Sequence, residues 1–236
     1  MDKKAKVFRY VIANLVLVAV LSVTIVFVTG LPVPSVAVVE PVRGGNCSSS
    51  VSVAIAVGRD SSGVADILSV LEASDIKATF FVSGAWIIEN ADYLRAIHLA
   101  GHSLGNYGFF NINHVGLPAN RIIDEIELTH KLVEGHTGVA MNIFLPPNAS
   151  YCAITIDIAR ALGYTTISPK DRATFSSDLT SGELAQKAIA SIQGGAILVL
   201  PASTNLVAAL PQIVNQIKQT ELTIVPVCQV INSIES

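Results

Sequence analysis

Charge is scarce in this sequence. Only 14% of its 236 residues are Asp, Glu, Lys or Arg, whereas 51% are hydrophobic; ordinary soluble domains carry about 25% charged residues. The formal net charge is −3, and no basic patch follows the first nine residues. That argues against nucleic acid as a partner, because such binding needs a basic face or stripe. Cysteine is scarce too. Cys47, Cys152 and Cys228 are the only three, and no C-x-x-C spacing joins them, which argues against a thiolate zinc site. Outside the cell two of them could form a disulfide, leaving one over. Cys152 opens a helical stretch and Cys228 closes a strand-like one, so both read as small buried apolar residues. There is a single Trp, and no internal repeat.

Much of the apolar excess lies at the N-terminus. Lys3, Lys4, Lys6 and Arg9 precede the run Tyr10 to Thr29, which has no charge and one polar amide, Asn14. About 20 such residues span a bilayer as a helix. The basic flank predicts a cytoplasmic N-terminus and an exported remainder. The alternative is a cleaved signal peptide ending near the small residue Gly30, although signal cores are usually shorter than this run. The expected organisation is a basic tail at 1–9, a transmembrane anchor at 10–30, a Pro, Gly and Ser-rich linker at 31–50 and one domain at 51–236. The domain would be extracytoplasmic, on a single-pass anchor in the cell membrane.

From Val51 the pattern becomes repetitive. Val51 to Val57 reads as a buried strand, Val64 to Ala73 as a helix with Val64, Ile67, Leu68 and Leu71 on one face, and Lys77 to Ser83 as a second strand. Ala91 to Ala100 reads as a helix ended by Gly101 and His102 to Asn106 as a third strand. Helices at Pro118 to Val133, Cys152 to Leu162, Ser181 to Ile192 and Leu206 to Gln219 follow. They alternate with strands at Asn142 to Leu145, Tyr164 to Ser168, Ala196 to Leu200 and Leu222 to Val227. Alternation of this kind predicts a parallel sheet with crossover helices, closed or nearly closed into a barrel. The chemistry of such folds sits on the loops after the strands. Those loops are Gly58 to Gly63, Ser83 to Trp86 and Asn106 to His114.

Five segments carry a resemblance. They are Lys77-Ala-Thr-Phe-Phe-Val82, Ala100-Gly-His-Ser-Leu-Gly-Asn106, Phe144-Leu-Pro-Pro147, Ala161-Leu-Gly-Tyr164 and Gly195-Ala-Ile-Leu-Val-Leu200. In order and spacing they resemble the polysaccharide deacetylase family (NodB homology, carbohydrate esterase family 4) over roughly 51–230. The resemblance implies a deformed (β/α) barrel. It also implies a divalent metal, commonly zinc, and hydrolysis of the amide of an N-acetylated sugar. That reaction needs a base for water, a cation to polarise the carbonyl and an acid for the amine. Family members take the base and one metal ligand from T-F-D-D-G, two metal ligands from a pair of His, an orienting Arg from R-P-P-Y-G and the acid from a late His.

Laid on this chain, those roles fall on other residues. The base position is Gly58 and the metal carboxylate is Arg59. The two His positions are Tyr107 and Asn111. The orienting Arg is Leu145, the Tyr-Gly after the prolines is Asn148-Ala149, and the acid is Pro201. Arg59 cannot be deprotonated at working pH, so it is neither base nor ligand. Asp60, after a one-residue slip, and His114 are the remaining metal candidates, with Asp60 more simply an ordinary loop residue or helix cap. His102 belongs to the framework motif and reads as structural. Trp86 and Tyr107 either stack on sugar rings or, for Trp86, pack under a loop. The expected groove is Arg59, Asp60, Trp86, Tyr107, Asn111 and Asn148, with one of Phe109 and Phe110 exposed beside it.

The expectation is a catalytically inactive, polysaccharide deacetylase-like envelope protein without a cofactor. It would bind cell-wall glycan such as peptidoglycan, or act as a scaffold or regulator beside an envelope protein partner. The alternative is a divergent metal-dependent deacetylase of peptidoglycan or another N-acetylated polysaccharide.

Overall fold

The computed structural model describes Asn14 and residues 40–45, 48–59, 61–168 and 174–232. The expected anchor at 10–30, apart from Asn14, and most of the expected linker lie outside these residues, as do Asp60 and Cys47. Among the described residues no helix is long and apolar enough to cross a membrane. The compact unit runs from Val39 to Ser236.

Seven parallel strands form its sheet: β1 (Ser50–Val57), β2 (Thr79–Val82), β3 (Ser103–Asn106), β4 (Ile143–Phe144), β5 (Thr165–Thr166), β6 (Ile197–Pro201) and β7 (Thr223–Ile224). Their order is β5-β4-β3-β2-β1-β6, with β7 also paired to β1. Beyond β5, Val42 bridges Ile167 in parallel. Among the described residues seven α-helices accompany them: α1 (Val64–Ala73), α2 (Gly84–Leu99), α3 (Ala119–Thr137), α4 (Ala153–Ala161), α5 (Ser181–Ala190), α6 (Thr204–Lys218) and, after the last strand, α7 (Val227–Asn232). The result is a curled half-barrel of strands with helices packed outside it.

Every residue of β1 is buried, as befits a parallel strand covered on both faces. Alternate residues serve two cores. Val51, Val53, Ile55 and Val57 join the helices in the outer core. Ala54 and Ala56 face the hollow of the curl with Phe81, Ile143, Leu145, Ile167, Ile197 and Val199. Small residues on β1 leave room there for larger ones opposite. Gly105 does the same for Phe81: a Cβ at 105 would lie 2.5 Å from the Phe81 ring. Val227, Val230 and Ile231 of α7 belong to this inner core. The Val227 N–H donates to Thr79 Oγ1 at the start of β2 (3.0 Å), so α7 plugs the end of the curl where the strands begin.

The helix α1 buries Val64, Ile67 and Leu71 as its spacing predicts. The capping box of Thr180 and Glu183 opens α5. Two elements depart from the sequence reading. The helix α2 starts at Gly84, well before Ala91, and is kinked at Asn90 (φ −132°, ψ 33°), whose Nδ2 donates to the Trp86 carbonyl. The last strand is short, and Cys228 lies in α7 rather than at a strand end. Cys152 and Cys228 are free thiols and half-buried, not fully buried as expected.

Candidate functional site at the ends of the strands

The loops after β1, β3 and β4 meet above the sheet. In the first, Ser61 fixes Gly58. The Gly58 N–H donates to Ser61 Oγ (2.9 Å), and Ser61 N–H donates back to the Gly58 carbonyl (3.2 Å). In the second, Asn106 at the end of β3 is a hub. Its Oδ1 accepts from Gly108 N–H (2.9 Å), and its Nδ2 donates to the Ile126 carbonyl (2.8 Å) and to Tyr164 Oη (3.2 Å). Burial pushes the Tyr164 phenol up to about 12.

A carboxylate that the sequence reading missed holds the rest of this loop. Glu125 of α3 is 1% exposed, and its Oε2 accepts from both Phe109 and Phe110 N–H (2.8 Å each). Its Oε1 accepts from Arg121 (3.2 Å). The signal was present: Glu125 sits on the same helical face as the buried Ile122, Ile126 and Thr129, and an acidic residue on an inward stripe needs a partner. The loop is also tied to α2, since Gly84 and Ala85 N–H donate to the Gly108 and Phe109 carbonyls. Phe110 is the exposed member of its aromatic pair.

Gly58, Tyr107 and Asn111 come together, as the motif mapping implied. Asn111 adopts a left-handed conformation (φ 58°). Its Nδ2 lies 2.7 Å from where a Cβ on residue 58 would stand, and the Tyr107 ring is 3.9 Å from the same point. The amide thus fills the space that an acidic side chain at 58 would use. Asn111 Oδ1 is buried without a hydrogen-bond partner. Burial pushes the Tyr107 phenol up, and a hydrogen bond with the Asn148 backbone opposes this only in part. Asn148 is exposed and also left-handed (φ 54°).

Leu145 is 3% exposed and takes its place in the inner core beside Tyr107. Pro201 ends β6 opposite Ala56, and Arg59 is exposed. The apolar filling of the curl therefore reaches up to the position where the resemblance would place an arginine.

Trp86 does not stand exposed among the loops above the strands. It lies in the first turn of α2 and is 2% exposed, because the helix begins directly after β2 and leaves no loop there. Nor do the histidines converge. His102 precedes β3, at the opposite end from the loops. Its Nδ1 accepts from Ala78 N–H (3.2 Å), its ring lies 5.2 Å from Phe80, and burial, aided by Lys77, lowers its pKa to about 4. His114 is fully buried, stacked on Phe144 at 5.7 Å, and neither ring nitrogen has a partner. Burial lowers its pKa to about 4.

The donor set does not fit a catalytic divalent metal. Gly58 offers no side chain, Leu145 none that is polar, Arg59 carries a fixed positive charge, and Tyr107 and Asn111 present a protonated phenol and a neutral amide. Catalytic zinc takes carboxylates, imidazoles or thiolates, and a hard cation needs several oxygen ligands, usually with carboxylates among them, where this set offers one amide oxygen. Among the described residues no three His, Cys, Asp or Glu side chains group together. The arrangement can accept and donate hydrogen bonds, but among the described residues it presents no base for water.

Residues 49–167, half of the chain, match the family model described as polysaccharide deacetylase. The chain belongs to the polysaccharide deacetylase family. Among solved structures it is similar to wild-type BA3943 of Bacillus anthracis, described as a CE4 family pseudoenzyme. The TM-score is 0.75 and the identity 24%, over 82% of this chain and 69% of that one. A BA3943 mutant described as having restored enzymatic activity aligns at TM-score 0.75 and 23% identity, over 82% of this chain and 72% of that one. Among curated relatives, the uncharacterised protein YlxY of Bacillus subtilis is 27% identical over 76% of this chain and 56% of its own length. The peptidoglycan-N-acetylmuramic acid deacetylase PdaA of the same species is 28% identical over 43% of this chain and 39% of its own length. The chain thus spans about half the length of these curated relatives. In this polysaccharide deacetylase family member, the framework residues of the motifs stand where the fold needs them, and the residues facing the site do not.

Proposed function

We propose that this protein is a catalytically inactive polysaccharide deacetylase-like protein of the cell envelope. It is held by a membrane anchor at 10–30 and binds glycan through the loops above its strands. One observation carries the loss of activity: the Asn111 amide occupies the space in front of Gly58, where a base would stand. Support for glycan as the ligand comes from the family and from relatives named for peptidoglycan deacetylation. The charge-free run Tyr10 to Thr29 after four basic residues supports the anchor. A role as scaffold or regulator beside an envelope protein fits the same reading.

Metal analysis after dialysis and a single-turnover acetate-release assay on chitooligosaccharides and peptidoglycan test the loss of activity. The expected result is no stoichiometric zinc and no acetate. Gly58→Asp with Arg59→Asp restores neither, because both His positions, the orienting Arg and the acid are still replaced. Bound zinc with acetate release that Asp60→Ala abolishes would overturn this reading in favour of a divergent deacetylase.

A further inference from the structure

A second concave site lies beside the degenerate one. The start of α1 and the first three turns of α2 enclose an open cleft of about 250 Å³. Ser61, Asp66, Asn90 and Tyr93 line it, with the buried Trp86 behind them. Its shape has two local causes. Gly63 turns the chain into α1 in a left-handed conformation (φ 72°), and the break at Asn90 bends α2. Tyr93 is 44% exposed, a large ring left open to solvent at the cleft.

The lining selects a chemistry. Asp66 is the one charged side chain among the described residues that line it, so an anion is disfavoured. A lone carboxylate does not make a divalent-cation site. The volume falls below the roughly 300–1,000 Å³ of sites for drug-sized apolar ligands. An aromatic face beside a carboxylate, an amide and a hydroxyl suits a small ring that is apolar on its faces and hydroxylated at its edge. We propose that this cleft is a subsite for one pyranose ring of a bound glycan, with Tyr93 as the platform and Asp66 and Asn90 accepting hydroxyl hydrogens. The inference rests on the glycan-binding reading above and extends it. Ser61 connects the two sites physically, since it lines the cleft and holds Gly58 through its hydroxyl. A glycan running past Gly58 and Ser61 would meet both.

The test uses the full-length protein with two probes, purified peptidoglycan sacculi in sedimentation and chitopentaose in titration. Tyr93→Ala should weaken binding about 5- to 10-fold, Tyr93→Phe less than 2-fold and Asp66→Asn about 3-fold, with thermal midpoints unchanged. Wild-type binding with Tyr93→Ala at full affinity would overturn the subsite and leave the glycan reading standing. Equal losses in Tyr93→Ala and Tyr93→Phe would overturn the platform role of the ring. Failure of the wild type to bind either probe would overturn the glycan reading and the subsite with it.

Discussion

The two ends of β3 carry opposite kinds of polar residue. At its beginning, His102 is partnered: Ala78 N–H donates to its Nδ1 and Phe80 packs on its ring. Beyond its end, the loop holds Asn111 with an orphaned carbonyl and His114 with two orphaned nitrogens. Buried polar groups normally find partners; around β3 the unpartnered ones, Asn111 and His114, lie at the site end, beside the fully partnered Asn106 and Glu125. Stability and catalysis occupy different ends of a (β/α) sheet. One end can drift while the other keeps the fold.

The largest expected break in this comparison comes from a residue that stabilises the drifting end. Glu125→Ala removes the acceptor for two part-buried N–H groups and leaves Arg121 facing Asp124 at 3.8 Å. Leaving two such N–H groups without their acceptor costs about 2–4 kcal/mol, while Arg121 is exposed enough for water to solvate it. Urea unfolding should show a lower midpoint with an unchanged slope. A loss below about 1 kcal/mol would mean that the loop does not depend on this carboxylate.

The two histidines sharpen the comparison through pH. Each titrates near 4 in the folded protein, against an ordinary value of 6.5. The unfolded chain takes up protons first as pH falls, so their contribution is complete above about pH 6.5 and is lost between there and about 4. Linkage gives roughly 2 kcal/mol of loss per histidine by pH 5. His114→Phe should remove half of that pH dependence and, at pH 7, leave stability equal or raised, because it deletes two orphaned nitrogens and keeps the stacking on Phe144. His102→Phe should be destabilising at pH 7, by about 1–3 kcal/mol, because Ala78 N–H loses its acceptor. The same direction for both variants would refute the contrast.

The smallest effect concerns Gly58 and Asn111. Gly58→Ala places a Cβ against the Asn111 amide and should cost about 1 kcal/mol. Asn111→Ala should relieve most of that cost, a coupling of ~0.5–1 kcal/mol in a double-mutant cycle. Additive effects would show that the amide does not fill the site.

Much of this was legible from residues alone. Strand β1 and helix α1 follow directly from apolar spacing. The motif positions located the loops, and Gly58, Tyr107 and Asn111 converge as that mapping implied. The start of α2 was not legible. Gly84 is a poor helix former and the break at Asn90 interrupts the period, so only the second half shows a helical pattern. Trp86 was therefore placed on a loop that does not exist. Asn111's left-handed backbone and orphaned carbonyl also leave no trace in sequence, because both depend on what the loop packs against. Glu125 left a trace, an acid on an apolar stripe, whose meaning required the neighbouring loop.

The position of β1 has a consequence for synthesis. This first strand is paired on one side with β2, close in sequence, and otherwise with β6 and β7, near the far end of the chain. A polypeptide emerging N-terminus first can form the β1–β2–β3 ribbon early, but one edge of β1 stays bare until residues 197–201 appear. The hollow of the curl stays unfilled until Val227 to Ile231 follow. Long-range parallel pairing of this kind is slow and leaves sticky edges exposed. During that interval the nascent chain depends on a chaperone or on its own solubility, and a truncation just short of α7 would pair the edge of β1 but leave the inner core without Val227, Val230 and Ile231.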